Sequence, residues 1–119
     1  MNYDINKFDE FGYVVVTDFL SEDEHHRLNT QCDYFTMLGS NLTHNEDGWI
    51  LNSPNNPCKL DGAMHRSQVF RDLASNDTLS SIARTLLGQE NIDTYISKFF
   101  PMVPHEGFSV GWHQDNHYI

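Results

Sequence analysis

The hydrophobic period of this chain changes at Ile92, and that change limits what it can fold into. Upstream, apolar residues recur at helical spacing. Leu28, Cys32, Phe35 and Leu38 form one stripe, and Leu79, Ile82, Ala83, Leu86 and Leu87 form another. From Ile92 to Phe100, β-branched and aromatic residues crowd together as a strand would, until Pro101 and Pro104 break the run. Phe108 to Trp112 is a second β-rich run. The earlier β signal is Tyr13-Val14-Val15-Val16, read as a strand buried on both faces. One early and two late strands cannot close a barrel or a sandwich. The expectation is therefore an α+β chain with helices over residues 1–90 and the start of a β core over 91–119, together one domain. On this reading the 119 residues are the front part of a longer domain, or they take partner elements from another chain.

Local signals place the helices. Residues 4–10 read as a short helix closed by Gly12. Ser21 and Glu24 have the spacing of a capping box and open the first striped helix, which Gly39 can end. A short helix is expected around Val69, Phe70 and Leu73, and a longer one from an Asn76 cap to a terminal Gly88. Residues 40–62, crowded with Asn, Pro, Gly and Asp, read as a long loop of the kind that often serves as a flap.

The net charge is −10, which argues against nucleic acid as a partner, because phosphate binding needs a basic footprint. The two cysteines, Cys32 and Cys58, make neither a metal spacing nor a disulfide framework, and Cys32 on a helix stripe reads as a buried thiol. Met1-Asn2-Tyr3-Asp4-Ile5 lacks the apolar core of a signal peptide, and no apolar run reaches membrane length. A soluble, cytoplasmic protein without membrane contact is the expectation.

The residues that carry chemistry come late, at His113-Gln114-Asp115. On a strand, alternate residues share a face, so an imidazole nitrogen and a carboxylate oxygen would stand side by side. That is two-thirds of the 2-His-1-carboxylate set that holds Fe(II) and leaves coordination positions open. The same tripeptide also occurs on ordinary polar loops. His117 would share the face of His113 if the strand continued, as a third ligand or as a residue of the pocket wall, and Tyr118 either lines the pocket or packs as an ordinary aromatic. His25 and His26 read as surface residues, and His44, His65 and His105 as loop histidines.

Three segments in order resemble the phytanoyl-CoA dioxygenase family. They are the opening Phe8-Asp9-Glu10-Phe11-Gly12-Tyr13-Val14-Val15-Val16 through Glu24, then Val69-Phe70-Arg71-Asp72-Leu73-Ala74-Ser75 with the helix to Gly88, and Trp112-His113-Gln114-Asp115-Asn116-His117-Tyr118. The resemblance implies a double-stranded β-helix, a cupin-like jelly roll with N-terminal helices. It also implies an Fe(II)- and 2-oxoglutarate-dependent dioxygenase that hydroxylates a small-molecule C–H bond using dioxygen.

Under that resemblance His113 and Asp115 match the first two iron ligands. Lys59, eleven residues before Phe70, aligns with a lysine that contacts 2-oxoglutarate. Lys98, three residues before Pro101, falls where relatives line the cofactor pocket, although a lysine is unusual there. Without the resemblance, Lys59 is a solvated charge and Lys98 a lysine that snorkels to a strand edge. The distal histidine and the cosubstrate arginine of the family have no counterpart up to Ile119. Halogenating relatives carry a small residue where Asp115 stands, so hydroxylation is the implied outcome. The alternative is a non-catalytic module that keeps the fold without a complete metal site. The substrate and the oligomeric state are not legible.

Overall fold

The computed structural model describes residues 3–115. Among them are five helices and a small antiparallel sheet: α1 (Ile5–Phe11), α2 (Glu22–Ser40), β1 (Trp49–Ser53), β2 (Asn56–Asp61), α3 (Ala63–Arg66), α4 (Gln68–Ala74), α5 (Asp77–Leu87) and β3 (Lys98–Phe99). The chain is thus mixed α+β, as expected, while a double-stranded β-helix is not seen among the described residues.

The helix boundaries follow their caps. The Asp4 side chain accepts from the Asn6 N–H to open α1, and Gly12, at φ 79°, closes it in the left-handed region. At α2 the capping box is complete: the Glu24 N–H donates to Ser21 Oγ, and the Glu24 carboxylate accepts from the Ser21 N–H. Gly39 does not end α2, which runs on to Ser40. The Asn76 side chain accepts from the Leu79 N–H, and α5 stops at Gly88 with φ 62°.

Within the expected loop over 40–62, residues 41–48 lie outside helix and strand as read, but Trp49–Asp61 is a β-hairpin. Its two-residue turn is Pro54-Asn55, with Asn55 at φ 63°. Pro in the first central position and Asn with positive φ in the second are the residues of a type II turn. The pattern hides from a period-two reading because the ladder shifts register between Ile50 and Leu51 and again before Ser53. Pro57 is tolerated because β3 pairs only with Leu60 and Asp61, so that edge of β2 at Pro57 needs no donor. The turn is tied to the end of α2: the Asn55 N–H donates to the Leu42 carbonyl, and its Nδ2 donates to the Ser40 carbonyl.

The other β expectations were too generous. Tyr13–Val16 is not a strand, and Tyr13 and Val15 are exposed, since no neighbouring strand takes up their backbone groups among the described residues. The run from Ile92 to Phe100 shortens to Lys98–Phe99 for the same reason, with β2 as its sole partner among the described residues in the sheet order β1-β2-β3.

One face of this sheet makes the core. Trp49, Leu60 and Phe99 turn toward α2 and α4, where Phe35 and Phe70 meet them. The Phe35 and Phe70 rings stack with centroids 5.7 Å apart, and Phe99 lies 5.8 Å from Phe35. Of the α2 stripe only Phe35 is fully buried; of the α5 stripe only Ile82. Between β2 and α4 a tight turn ties the sheet together. The Gly62 and Ala63 N–H groups donate to the Ser97 carbonyl, and the Met64 N–H donates to Ser97 Oγ. Ser97 therefore satisfies the open donors at the start of α3 and fixes β3 beside β2. No helix among the described residues is long and apolar enough to cross a membrane.

Candidate functional site

Residues 108–112 are not the strand expected to deliver His113, and Val110 and Trp112 are exposed. Yet the two donors meet. His113 Nε2 lies 3.3 Å from Asp115 Oδ1. On the other side of the ring, Nδ1 lies 2.8 Å from the Gly111 carbonyl oxygen. A carbonyl only accepts, so Nδ1 carries the proton in that bond. With a protonated ring, Nε2 and the Asp115 carboxylate form an ion pair. This is the orientation that a metal-binding histidine needs, its far nitrogen held by a carbonyl.

The donor set of one imidazole nitrogen and one carboxylate oxygen suits Fe(II). Among the described residues no group of three or more His, Cys, Asp or Glu is arranged to hold a metal ion. His117 and Tyr118 lie outside the described residues. The pair is open to solvent, with the Asp115 side chain 81% exposed and that of His113 39%.

The structure also places the two sequence-predicted lysines on one sheet face. Lys59 and Asp61 are alternate residues of β2, and Asp61 stands opposite Lys98 in the ladder. All three lie on the face away from the aromatic core, which Leu60 and Phe99 occupy from the other side. The Lys59 ammonium lies 3.5 Å from Asp61 Oδ1. That contact is not a hydrogen bond, and Asp61 Oδ1 is a buried oxygen with no hydrogen-bond partner among the described residues. Lys98 is exposed. Asp61 was not singled out by sequence reasoning, and neither was Ser97. Nothing local marks them, since their roles arise from pairing between β2 and the distant β3.

The remaining histidines are placed largely as read. His25 and His26 are exposed on α2, and His44 pairs with Glu46 at 3.2 Å. His105 is in a turn, whereas His65 belongs to α3 rather than to a loop. Both cysteines are free thiols. Cys32 is half-buried, and loss of solvation, followed by the neighbouring Asp33 charge, raises its thiol above the usual range.

The sequence model of the phytanoyl-CoA dioxygenase (PhyH) family matches residues 8–119. No curated protein and no solved structure matches the chain.

Proposed function

The chain belongs to the phytanoyl-CoA dioxygenase family, and on that premise we propose that it is an Fe(II)- and 2-oxoglutarate-dependent dioxygenase. It hydroxylates a C–H bond of a small molecule: substrate, dioxygen and 2-oxoglutarate give hydroxylated product, succinate and CO2. The double-stranded β-helix implied by the family is part of this proposal, with β3 as one of its strands.

The observation that supports the reading most is the approach of His113 Nε2 to Asp115 Oδ1, 3.3 Å apart at the family's metal-binding tripeptide. In this reading His113 and Asp115 hold the iron. When bound, Fe(II) supplies the chelation of a 2-oxo acid and the reductive activation of dioxygen. The Gly111 carbonyl holds the His113 ring by Nδ1, which would leave Nε2 to serve as the ligand nitrogen. Asp115 would offset part of the metal's charge, and since halogenating relatives carry a small residue where it stands, hydroxylation is the proposed outcome. Lys59 and Lys98 offer ammonium groups to a cosubstrate carboxylate.

The test is succinate formation from 2-oxoglutarate with Fe(II) under air. His113→Ala and Asp115→Ala are each expected to reduce it by about 100-fold or more, since even residues behind a metal ligand commonly cost 10–100-fold. Succinate formation unchanged in His113→Ala would overturn the assignment of the ligand. No succinate from the unaltered chain with saturating Fe(II) and 2-oxoglutarate would favour the non-catalytic module instead.

A further inference from the structure

Asp61 presents an unusual arrangement. One of its carboxylate oxygens is buried and accepts no hydrogen bond among the described residues, although buried acceptors are nearly always satisfied. The nearest cation among the described residues is the Lys59 ammonium at 3.5 Å, longer than an ordinary N–H···O hydrogen bond. The contact is therefore electrostatic. It draws the ammonium toward the sheet face without consuming one of its three N–H donors. No hydrogen bond to the Lys59 ammonium exists among the described residues, and its side chain is only 25% exposed. A half-buried ammonium with its donors uncommitted is poised for an anion.

The backbone around this carboxylate is held from several directions. The Asp61 N–H donates to the Gly48 carbonyl at 3.0 Å, and the Asp61 carbonyl accepts from Arg66 Nε at 3.2 Å. Arg66 is itself held by Asp47 at 3.1 Å. The next three N–H groups of the chain, from Gly62, Ala63 and Met64, all donate to Ser97, the residue before Lys98. The relative positions of Lys59, Asp61 and Lys98 are thus set by backbone hydrogen bonds on both strands. Two ammonium groups and one carboxylate leave a net charge of +1 on this face, in a chain whose net charge is −10. One ligand carboxylate would neutralise it.

We propose that Asp61 is a positioning residue for anion capture, holding the Lys59 ammonium toward the outer sheet face so that it, with Lys98 across the ladder, receives a carboxylate of a small dicarboxylate. The inference rests on the proposed function, in which that ligand is 2-oxoglutarate. It goes further by giving Asp61 a role that its charge would not suggest. An acidic residue beside an anion site opposes binding by simple Coulomb repulsion. A positioning role has the opposite sign.

That difference in sign supplies the test. Binding of 2-oxoglutarate to the full chain is measured by calorimetry, without turnover, for the unaltered protein and for Asp61→Asn, Asp61→Glu and Lys59→Ala, each checked for folding by thermal melting. Asp61→Asn makes the face more positive, yet it is expected to weaken binding by about tenfold, the scale of one charge-assisted hydrogen bond. Asp61→Glu, which keeps the ion pair, is expected to recover most of the loss. Unchanged or tighter binding in Asp61→Asn, with Lys59→Ala weakened, would overturn the role of Asp61 while leaving Lys59 as the anion residue. Equal binding in Lys59→Ala and the unaltered chain, or no binding in either, would overturn the proposal together with the cosubstrate assignment on which it rests.

Discussion

Gly39 of α2 and Trp49 of β1 lie so close that a Cβ at Gly39 would fall 2.7 Å from Trp49 Cζ3. It would also fall 2.8 Å from the Pro57 Cβ. Trp49 and Pro57 are both buried, and the hairpin turn is bonded to the end of the same helix. The glycine is there for close approach, since its backbone is helical and alanine would be the better helix former by roughly 1 kcal/mol. Gly39→Ala is expected to destabilise the chain by about 1–3 kcal/mol through overpacking. Urea denaturation checks it, and equal or greater stability would show that the ring can move aside.

Leu60 joins the hairpin to the aromatic cluster. It is 1% exposed and pairs with Trp49 on one side and Phe99 on the other. Leu60→Ala is expected to cost about 2–5 kcal/mol, the range for cavities in tight cores. The same substitution should also loosen Lys59 and Asp61, its neighbours in β2. A loss below about 1 kcal/mol would mean that the cluster collapses around the gap.

The capping box makes α2 sensitive to acid. The Glu24 carboxyl is held below its ordinary value of 4.5, first by the Ser21 N–H and then by the Ser21 hydroxyl, both of which donate to it. A carboxyl lowered in the folded state stabilises it above the unfolded value, and that contribution disappears as the pH falls through the folded value. Glu24→Gln should therefore lower stability near neutral pH and flatten its decline on acidification below about 4.5. Denaturation midpoints of both proteins across that range decide it, and parallel curves would contradict the cap's contribution.

Cys32 titrates the other way. Its thiol is raised above 9.0 mainly by burial. A raised value favours the folded state below the unfolded value, and that advantage is lost as the pH rises through the folded one. Cys32 should react with iodoacetamide more slowly in the folded chain than in the unfolded chain at the same pH, because the thiolate is the nucleophile. Equal rates followed by mass spectrometry would contradict this.

What the sequence disclosed was local. Ser21 with Glu24, Asn76 with Gly88, and the α5 stripe each declare themselves within one or two turns, because caps and periodicity act over that distance. Strands need partners, and this is where sequence reading failed. Tyr13–Val16 has β-branched composition and no neighbouring strand among the described residues, whereas Trp49–Asp61 has two prolines, two register shifts and a turn resembling a loop, yet pairs well. The approach of His113 to Asp115 was legible because the two residues are only two positions apart. The Lys59, Asp61 and Lys98 face was legible only as two separate lysines, since the register that aligns Asp61 with Lys98 is set by Ser97 and the turn before α3.

Anaerobic mixing of the chain with Fe(II) and 2-oxoglutarate probes the His113 and Asp115 pair directly, because a chelated 2-oxo acid on ferrous iron absorbs in the visible. The expected result is a charge-transfer band that saturates at one iron per chain and is lost in His113→Ala. No band in the unaltered chain, or an equal band in His113→Ala, would contradict the assignment of this pair as iron ligands.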